Sequence, residues 1–146
     1  MAMDISEQQH ALLGRSRNGV LVTVGPDGSP HAGPVWYLWD GAEIRISTPR
    51  TTQKVRDIEL DPRVAFCVDL ERPPYAFVQV QGAAEISEDP ADLVATATAI
   101  AARYMGPERA EEFGRRNGVP GELVVRVRPV KVLAGFDTIA PADHTR

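Results

Sequence analysis

The alternation of apolar and polar residues over most of this chain predicts short β-strands joined by tight turns. Six segments carry β-branched or alternating residues and are separated by turn residues such as Pro-Asp-Gly and Asp-Gly. The clearest is the fifth, where every second residue from Ala76 to Val80 is aliphatic and the residues between them are Phe and Gln. The six predicted strands are residues 19–25, 30–39, 42–48, 63–70, 75–87 and 121–136.

Helical spacing of apolar residues interrupts this strand pattern four times, over residues 7–15, 52–60, 90–105 and 108–116. The first helix begins at a Ser6-x-x-Gln9 capping box, and the third begins at Asp89-Pro90. The second is predicted to start at a hydroxyl cap, Thr51 or Thr52. Because short connections make neighbouring strands antiparallel, the pattern predicts a mainly β fold with short helices, in which six antiparallel strands close into a small barrel.

Length and composition predict one globular domain, residues 1–137, followed by a polar tail, residues 138–146. The sequence has neither a run of eighteen apolar residues nor a charged-then-apolar leader, which predicts no membrane span and no signal peptide. Its single cysteine, Cys67, cannot form an internal disulfide, and this favours a cytoplasmic location. The net charge of -4 argues against a nucleic-acid-binding protein.

One strand-to-helix turn, within residues 46–61, has the chemistry of a phosphate site. It carries three hydroxyls and two cations: Thr48, Thr51, Thr52, Arg50 and Lys54. Helix N-terminal amides and hydroxyls donate to phosphate oxygens, and Arg and Lys neutralise the charge. A capped surface helix with two solvated cations is the commoner explanation of such a pattern taken alone. The acidic residues of this helix, Asp57, Glu59 and Asp61, are predicted to form its solvated face.

The chain has no recognisable reactive group of its own. It lacks the Walker loop and the motifs G-x-G-x-x-G, H-E-x-x-H, G-x-S-x-G and C-x-x-C. Its three histidines are far apart in sequence, so no metal site is predicted. The aromatic cluster of Trp36, Tyr37 and Trp39 suits a core, an interface or a flat conjugated ligand. Such a strand beside a phosphate-ready turn is typical of proteins in which a cofactor carries the chemistry.

Four short motifs in a fixed order carry a family resemblance. They are D-G-x-P at 27–30, P-V-W-Y at 34–37, T-x-R-x-x-x-K at 48–54 and D-P-R at 61–63. From about Gly19 to Gly82, and weakly again near Phe136, the chain resembles the split β-barrel flavin and deazaflavin proteins of the pyridoxamine 5′-phosphate oxidase-like superfamily. Within that superfamily it is similar to the F-420-dependent oxidoreductases.

The resemblance implies a six-stranded split barrel that forms a homodimer, with two cofactor sites at the dimer interface. The cofactor would be the deazaflavin coenzyme F-420 or, alternatively, FMN. The residues against its ring would be Gly33, Pro34, Val35 and Trp36. The other cofactor-binding residues would be Ser47, Thr48, Arg50, Thr51 and Lys54, the last four around the phosphate. Arg56, Arg15 or Arg17 would suit the glutamate tail of F-420, and Gln79 or Gln81 is a weaker candidate for contacting the ring.

The implied activity is transfer of a hydride from reduced F-420 to an electron-poor double bond of a small organic substrate. The resemblance identifies no catalytic side chain; His31 and Tyr37 are the hydrogen-bond donors expected nearest the ring. One alternative is an FMN-dependent flavin reductase or oxidase of the same fold. Another is a flavin- or deazaflavin-binding protein without turnover.

Overall fold

The computed structural model describes residues 4–139 of the 146-residue chain. Its four α-helices are α1 (Glu7–Arg15), α2 (Gln53–Leu60), α3 (Pro90–Met105) and α4 (Ala110–Asn117), with a 3-10 turn at Pro107–Arg109. Its strands are β1 (Gly19–Val24), β2 (Pro30–Val35), β3 (Leu38–Trp39), β4 (Ile44–Pro49), β5 (Arg63–Leu70), β6 (Ala76–Ser87) and β7 (Glu122–Phe136). A mainly β fold with short helices is therefore confirmed.

The described residues form seven strands, so the predicted count of six is wrong. All seven belong to one antiparallel sheet in the order β2-β1-β5-β6-β7-β4-β3. The predicted strand over residues 30–39 is divided, because Tyr37 turns into the core between β2 and β3. Its side chain is fully buried, and its hydroxyl donates to the carbonyls of Leu13 at 2.6 Å and Ser16 at 2.8 Å.

The position of β2 and β3 shows that the sheet is curled. These strands form its two opposite edges, yet only Trp36 and Tyr37 separate them in the chain. Three residue steps span at most about 11 Å, so the two edges must lie close together. Between residues 4 and 139 no ladder joins β2 to β3, and the predicted barrel closure is therefore incomplete. The sheet is a barrel with a split at Trp36–Tyr37.

The inner face of the sheet forms the core, and helices α1 and α2 contribute to it. Phe66, Val78 and Val80 are fully buried, and Leu12 and Leu13 of α1 pack into the same cluster. Along β6, Ala76, Val78 and Val80 are buried while the residues between them are not, which confirms the alternation predicted for this strand. At Gly82 the β6–β7 register shifts, and a Cβ there would overlap the Arg128 carbonyl. Gly82 therefore marks a bulge in β6.

Helices α3 and α4 lie outside the sheet and contact each other closely. Helix α3 begins at Asp89, whose carboxylate accepts a hydrogen bond from the Ala91 amide at 3.1 Å. Among the described residues, no helix is long and apolar enough to cross a membrane. Of the predicted polar tail, only Thr138 and Ile139 fall within the described part, and the domain boundary at residue 137 stays a prediction.

Candidate functional site

The turn between β4 and α2 leaves the start of the helix open to an anion. Thr52 occupies the N-cap position, but its hydroxyl donates to the Pro49 carbonyl at 3.0 Å and makes no cap bond to the helix. The predicted hydroxyl cap is therefore wrong. The first turn of α2 also contains no acidic residue. Its N-terminal amides thus keep their unpaired donors and the positive end of the helix dipole.

The two predicted cations differ in their surroundings. Arg50 is half-exposed and pairs with Glu88, at the end of β6. Lys54 is partly buried, and in the part of the chain that the structure describes it forms no ion pair. Arg56 instead closes the turn, since its guanidinium donates to the Thr51 carbonyl at 2.8 Å. Lys54 is therefore the cation of this turn with the fewest competing partners.

The hydroxyls of the turn form a small cluster. Thr48 is buried, with an exposed fraction of 3%, and its Oγ1 lies 3.3 Å from Oγ1 of Thr52. Thr51 is exposed on the outside of the turn. The backbone is tied to β7, because the Arg50 amide donates to the Gly121 carbonyl at 2.9 Å. The turn is thus held in place by neighbouring backbone and presents hydroxyls and amides at one end of α2.

Trp36 and Tyr37 point in opposite directions at the split. Trp36 is 52% exposed, and its ring stacks on Tyr104 of α3 with centroids 4.7 Å apart and planes 2° from parallel. Tyr37 is buried against Phe66, and burial raises the pKa of its hydroxyl. Tyr37, one of the two donors expected nearest the ring, directs its hydroxyl at the carbonyls of Leu13 and Ser16. Trp36 alone of the pair offers a ring edge and face to a ligand.

Two cavities meet at Trp36. One, of about 290 Å³, is lined by Arg17, Asn18, Gly19, Val20, Pro34, Val35 and Trp36. It brings together three of the four residues predicted to contact the ring; Gly33 lies one position earlier on β2, opposite Leu21. Arg17, a candidate for the cofactor tail, lines the same cavity.

The other cavity, of about 280 Å³, joins Trp36 to the beginning of the phosphate turn. Ser47 and Pro49 of β4 line it together with Trp36. None of the four predicted phosphate ligands lines either cavity; they lie on or just after this end of β4: Thr48, Arg50, Thr51 and Lys54. Trp36 and the beginning of the turn are therefore neighbours at the split.

The far wall of this second cavity consists of residues that the sequence pattern did not indicate as part of a site. They lie on α3, on α4 and at the start of β7: Ala97, Ile100, Ala101, Phe113, Asn117 and Glu122. The helical spacing of Ala97 and Ala101 indicates a buried helix face but gives no sign of a cavity. The contact between Trp36 and Tyr104, which places α3 beside the split, has no signal in the sequence pattern.

A buried carboxylate anchors α2 to the β1–β2 hairpin. Asp57 is fully buried, although it was predicted to face solvent. It accepts hydrogen bonds from Thr23 Oγ1 at 2.7 Å, His31 Nδ1 at 2.7 Å and Gln53 Nε2 at 2.8 Å. Burial alone would raise the pKa of Asp57, but the hydrogen bonds from Gln53, Thr23 and His31 lower it below 3.8.

This anchor has a consequence for both halves of the site. An ionised carboxylate only accepts hydrogen bonds, so His31 Nδ1 carries the proton in this contact. His31 lies on β2, two residues before Gly33, and Asp57 lies on the helix that begins at the phosphate turn. The contact therefore fixes the aromatic segment and the turn relative to each other. His31 is tied to Asp57 through one nitrogen and is 44% exposed.

The D-P-R motif is a structural turn at the end of α2. Asp61 accepts from the Arg63 amide at 3.1 Å and from its guanidinium at 2.6 Å. The Arg63 side chain and amide lower the pKa of Asp61 to about 2. This motif positions the entry into β5 and brings no group to the cavities at Trp36.

Comparison with known proteins identifies the family. The family model described as pyridoxamine 5′-phosphate oxidase matches residues 5–134. The conserved hypothetical protein Rv2991 from Mycobacterium tuberculosis is 28% identical, with a TM-score of 0.81, and the match covers 99% of this chain and 92% of that protein. An F420 reductase is 30% identical, with a TM-score of 0.70 and coverage of 88% of this chain and 98% of the reductase.

A third solved structure, General Stress Protein 26 from Bacillus anthracis, shares the fold at 20% identity, with a TM-score of 0.63 and coverage of 85% of this chain and 88% of that protein. A search among curated proteins gave no match. The seven-stranded curled sheet thus has the split-barrel architecture of its structural neighbours. The family match over residues 5–134 and the reductase at 30% identity agree, and the chain belongs to the pyridoxamine 5′-phosphate oxidase family.

Proposed function

We propose that this protein is an oxidoreductase that uses the deazaflavin coenzyme F-420 to reduce an electron-poor double bond of a small organic substrate. The observation that carries the proposal is the position of Trp36. It lines one cavity with the predicted ring-binding residues Pro34 and Val35, and it lies close to Ser47 of β4, the strand that leads to the open N-terminus of α2. An aromatic surface close to an anion-binding turn suits a cofactor with a ring at one end and a phosphate further along.

The donors of the turn fit a phosphate. The first amides of α2 have no capping side chain, and Lys54 has no carboxylate partner among the described residues. The Asp57 carboxylate is directed at β1 and β2, where it accepts hydrogen bonds from Thr23 and His31, and not at the open amides of α2. The local charge at the turn is therefore favourable to a phosphate.

The similarity to an F420 reductase favours F-420 over FMN. FMN ends at its phosphate, whereas F-420 continues into a glutamate tail whose carboxylates an Arg would bind. Arg17 lines a cavity with Pro34, Val35 and Trp36, on the ring side of the proposed site, and does not discriminate between the two cofactors. When bound, the coenzyme supplies a hydride; the residues of this chain bind its phosphate, orient its ring and exclude water.

The cofactor assignment is tested by titrating the cofactor-free protein with F-420 and with FMN and following tryptophan fluorescence. The chain has two tryptophans, so Trp39→Phe leaves Trp36 as the only reporter. We expect F-420 to quench Trp36 and to bind more tightly than FMN. Tighter binding of FMN would replace the deazaflavin assignment with the flavin one. Binding of neither would remove the proposed function.

The phosphate assignment is tested at Arg50 and Lys54. A charge-assisted hydrogen bond contributes about 1.5–3 kcal/mol, so Arg50→Ala with Lys54→Ala should weaken F-420 binding about ten- to hundred-fold or more. Thermal stability should change little, because exposed ion pairs contribute little. Arg115→Ala is the matched control, since Arg115 pairs with Glu111 on α4 much as Arg50 pairs with Glu88. Unchanged affinity in the double variant would contradict the assignment.

We also propose that two copies associate through the outer face of the sheet. Val20 on β1 and Leu133 on β7 are 37% and 45% exposed, and the ladders connect them through Cys67 and Gln79. Val130, also on β7, is 72% exposed. Exposed aliphatic side chains on adjacent strands are typical of a protein interface.

Light scattering after size-exclusion chromatography tests this association. The wild-type chain should have the mass of a dimer, and Leu133→Glu should shift it to the mass of a monomer. Leu60→Glu is the control, because Leu60 is 71% exposed but lies on α2, away from this face. A wild-type monomer, or equal effects of the two variants, would contradict the proposal.

A further inference from the structure

The cavity between the split and helices α3 and α4 has walls that the cofactor assignment does not explain. Trp36 and Ser47 are shared with the predicted cofactor-binding residues. The other walls are mainly apolar and come from elements with no predicted role: Ala97, Ile100, Ala101 and Phe113. With a volume of about 280 Å³, the cavity is near the lower end of known ligand pockets, which suits a molecule of one or two rings.

One carboxylate faces this apolar space. Glu122 lines the cavity and, within residues 4–139, forms no ion pair. Burial raises the pKa of Glu122. A partly desolvated carboxylate without a cation is stabilised by any ligand that donates a hydrogen bond to it, and it disfavours a ligand that brings a second negative charge. The amide of Asn117 lines the same cavity.

The cavity is joined to the phosphate turn through backbone pairing. Glu122 lies opposite Pro49 in the β4–β7 ladder, and the Arg50 amide bonds to the Gly121 carbonyl at 2.9 Å. A ligand in the cavity would therefore touch Trp36 and Ser47, two of the residues proposed for the cofactor, and would lie next to the phosphate turn. This adjacency favours a substrate over an unrelated effector.

We propose that this cavity binds the organic substrate, and that the substrate is an uncharged, flat, mostly apolar molecule with a hydrogen-bond donor directed at Glu122. The assignment as a substrate site rests on the proposed reductase function; the class of ligand rests on the walls alone. Anionic analogues of the same shape are excluded by the Glu122 carboxylate.

Two probes of one ring system separate shape from charge. 2-Naphthol is neutral and has a donor, whereas 2-naphthoate has the same rings and a negative charge. NMR titration of cofactor-free, isotope-labelled protein should show 2-naphthol shifting amides of α3, α4 and the start of β7. Its dissociation constant should be at least about ten-fold lower than that of 2-naphthoate.

Two variants assign the selectivity to this cavity. Glu122→Gln keeps the shape but removes the charge, so the preference for 2-naphthol should largely disappear; Glu111→Gln, at an exposed position on α4, should leave it unchanged. Ala101→Phe should fill the cavity and abolish binding of both probes. If Ala101→Phe does not fold, Glu122→Gln still decides the matter, because it replaces one partly exposed side chain.

The ligand class of the cavity and the F-420-dependent activity can fail separately in these experiments. Equal affinity for the two probes, or shifts confined to other elements, would overturn the ligand class even if F-420 binds. Selective 2-naphthol binding that Glu122→Gln abolishes would support it. Should F-420 and FMN both fail to bind while that selectivity persists, the ligand class stands and the substrate role falls.

Discussion

Asp57 anchors α2 to the barrel through hydrogen bonds to Thr23 and His31. Its carboxylate is fully buried and satisfies hydrogen-bond donors from β1, from β2 and from its own helix. The apolar residues Val55 and Ile58 of the same helix are buried as well, but the sequence pattern gives no sign that the neighbouring acid is also inward. The only local signal is Gln53, one turn earlier; the donors on Thr23 and His31 come from tertiary structure.

Replacing Asp57 tests this anchor. Asp57→Ala leaves the hydroxyl of Thr23, itself 2% exposed, without its partner. An unsatisfied buried donor costs about 1–3 kcal/mol, so the free energy of unfolding should fall by at least that amount in urea denaturation. Glu59→Ala, on the exposed face of the same helix, should change it by less than about 0.5 kcal/mol. Equal effects would show that the carboxylate does not anchor the helix.

Asp61 should give a pH dependence with a defined sign. Its pKa in the folded protein is about 2, below the ordinary value of 3.8, so the folded state favours the charged form. The stability that it contributes is complete above pH 3.8 and is lost as the pH falls through about 2. Arg63→Ala should return the pKa of Asp61 towards 3.8 in an NMR titration. An unchanged low pKa in that variant would assign the shift to another group.

At the scale of elements, α3 and α4 pack closely against each other and form the far wall of the proposed substrate cavity. Gly114 faces Thr98 so closely that a Cβ would lie 2.9 Å from the Thr98 Cβ and 3.1 Å from its Cα. At Gly118, a Cβ would lie 2.9 Å from the Val94 Cα. The absence of side chains at these two positions allows α4 to lie directly on α3.

Two helical glycines should respond to alanine in opposite ways. Gly114→Ala should lower the free energy of unfolding by about 1–3 kcal/mol, because α4 must move away from α3. Gly14→Ala in α1 has no atom within 4 Å of the new Cβ, so the helix propensity of alanine should raise stability by up to about 1 kcal/mol. Urea denaturation measures both. Stabilisation by Gly114→Ala would mean that the two helices are not in close contact.

The elements themselves were predictable wherever the local signal was strong. α1 and β5 run over Glu7–Arg15 and Arg63–Leu70, the ranges that the sequence predicts. The split of the second strand was not predictable, because Trp36-Tyr37 continues its aromatic pattern while Tyr37 turns inward to bond with α1. The hydroxyl of Thr52 is a similar case. It can bond either to the Pro49 carbonyl or to the first amides of α2, and the sequence does not show which bond forms.

For the whole molecule, strand order is the property that the pattern alone could not provide. β4 pairs with β3 and with β7. The pairing with β7 cannot be read from the alternation of residues, because β7 begins at Glu122, far along the chain from β4. The strand pattern predicted a barrel, and the family resemblance added the expectation that the aromatic segment and the phosphate turn lie together. Their shared cavity at Trp36 agrees with that expectation, while the roles of the individual residues stay proposals.

The two-residue connection across the split also means that Trp36 links the two edges of the sheet. Because Val35 ends one edge and Leu38 begins the other, a ligand that immobilises Trp36 restrains both β2 and β3 at once. Hydrogen–deuterium exchange should then slow in both edges together when F-420 binds, while the central β5–β6 ladder keeps its rate. Slower exchange in one edge alone would mean that ligand binding at Trp36 does not restrain both strands.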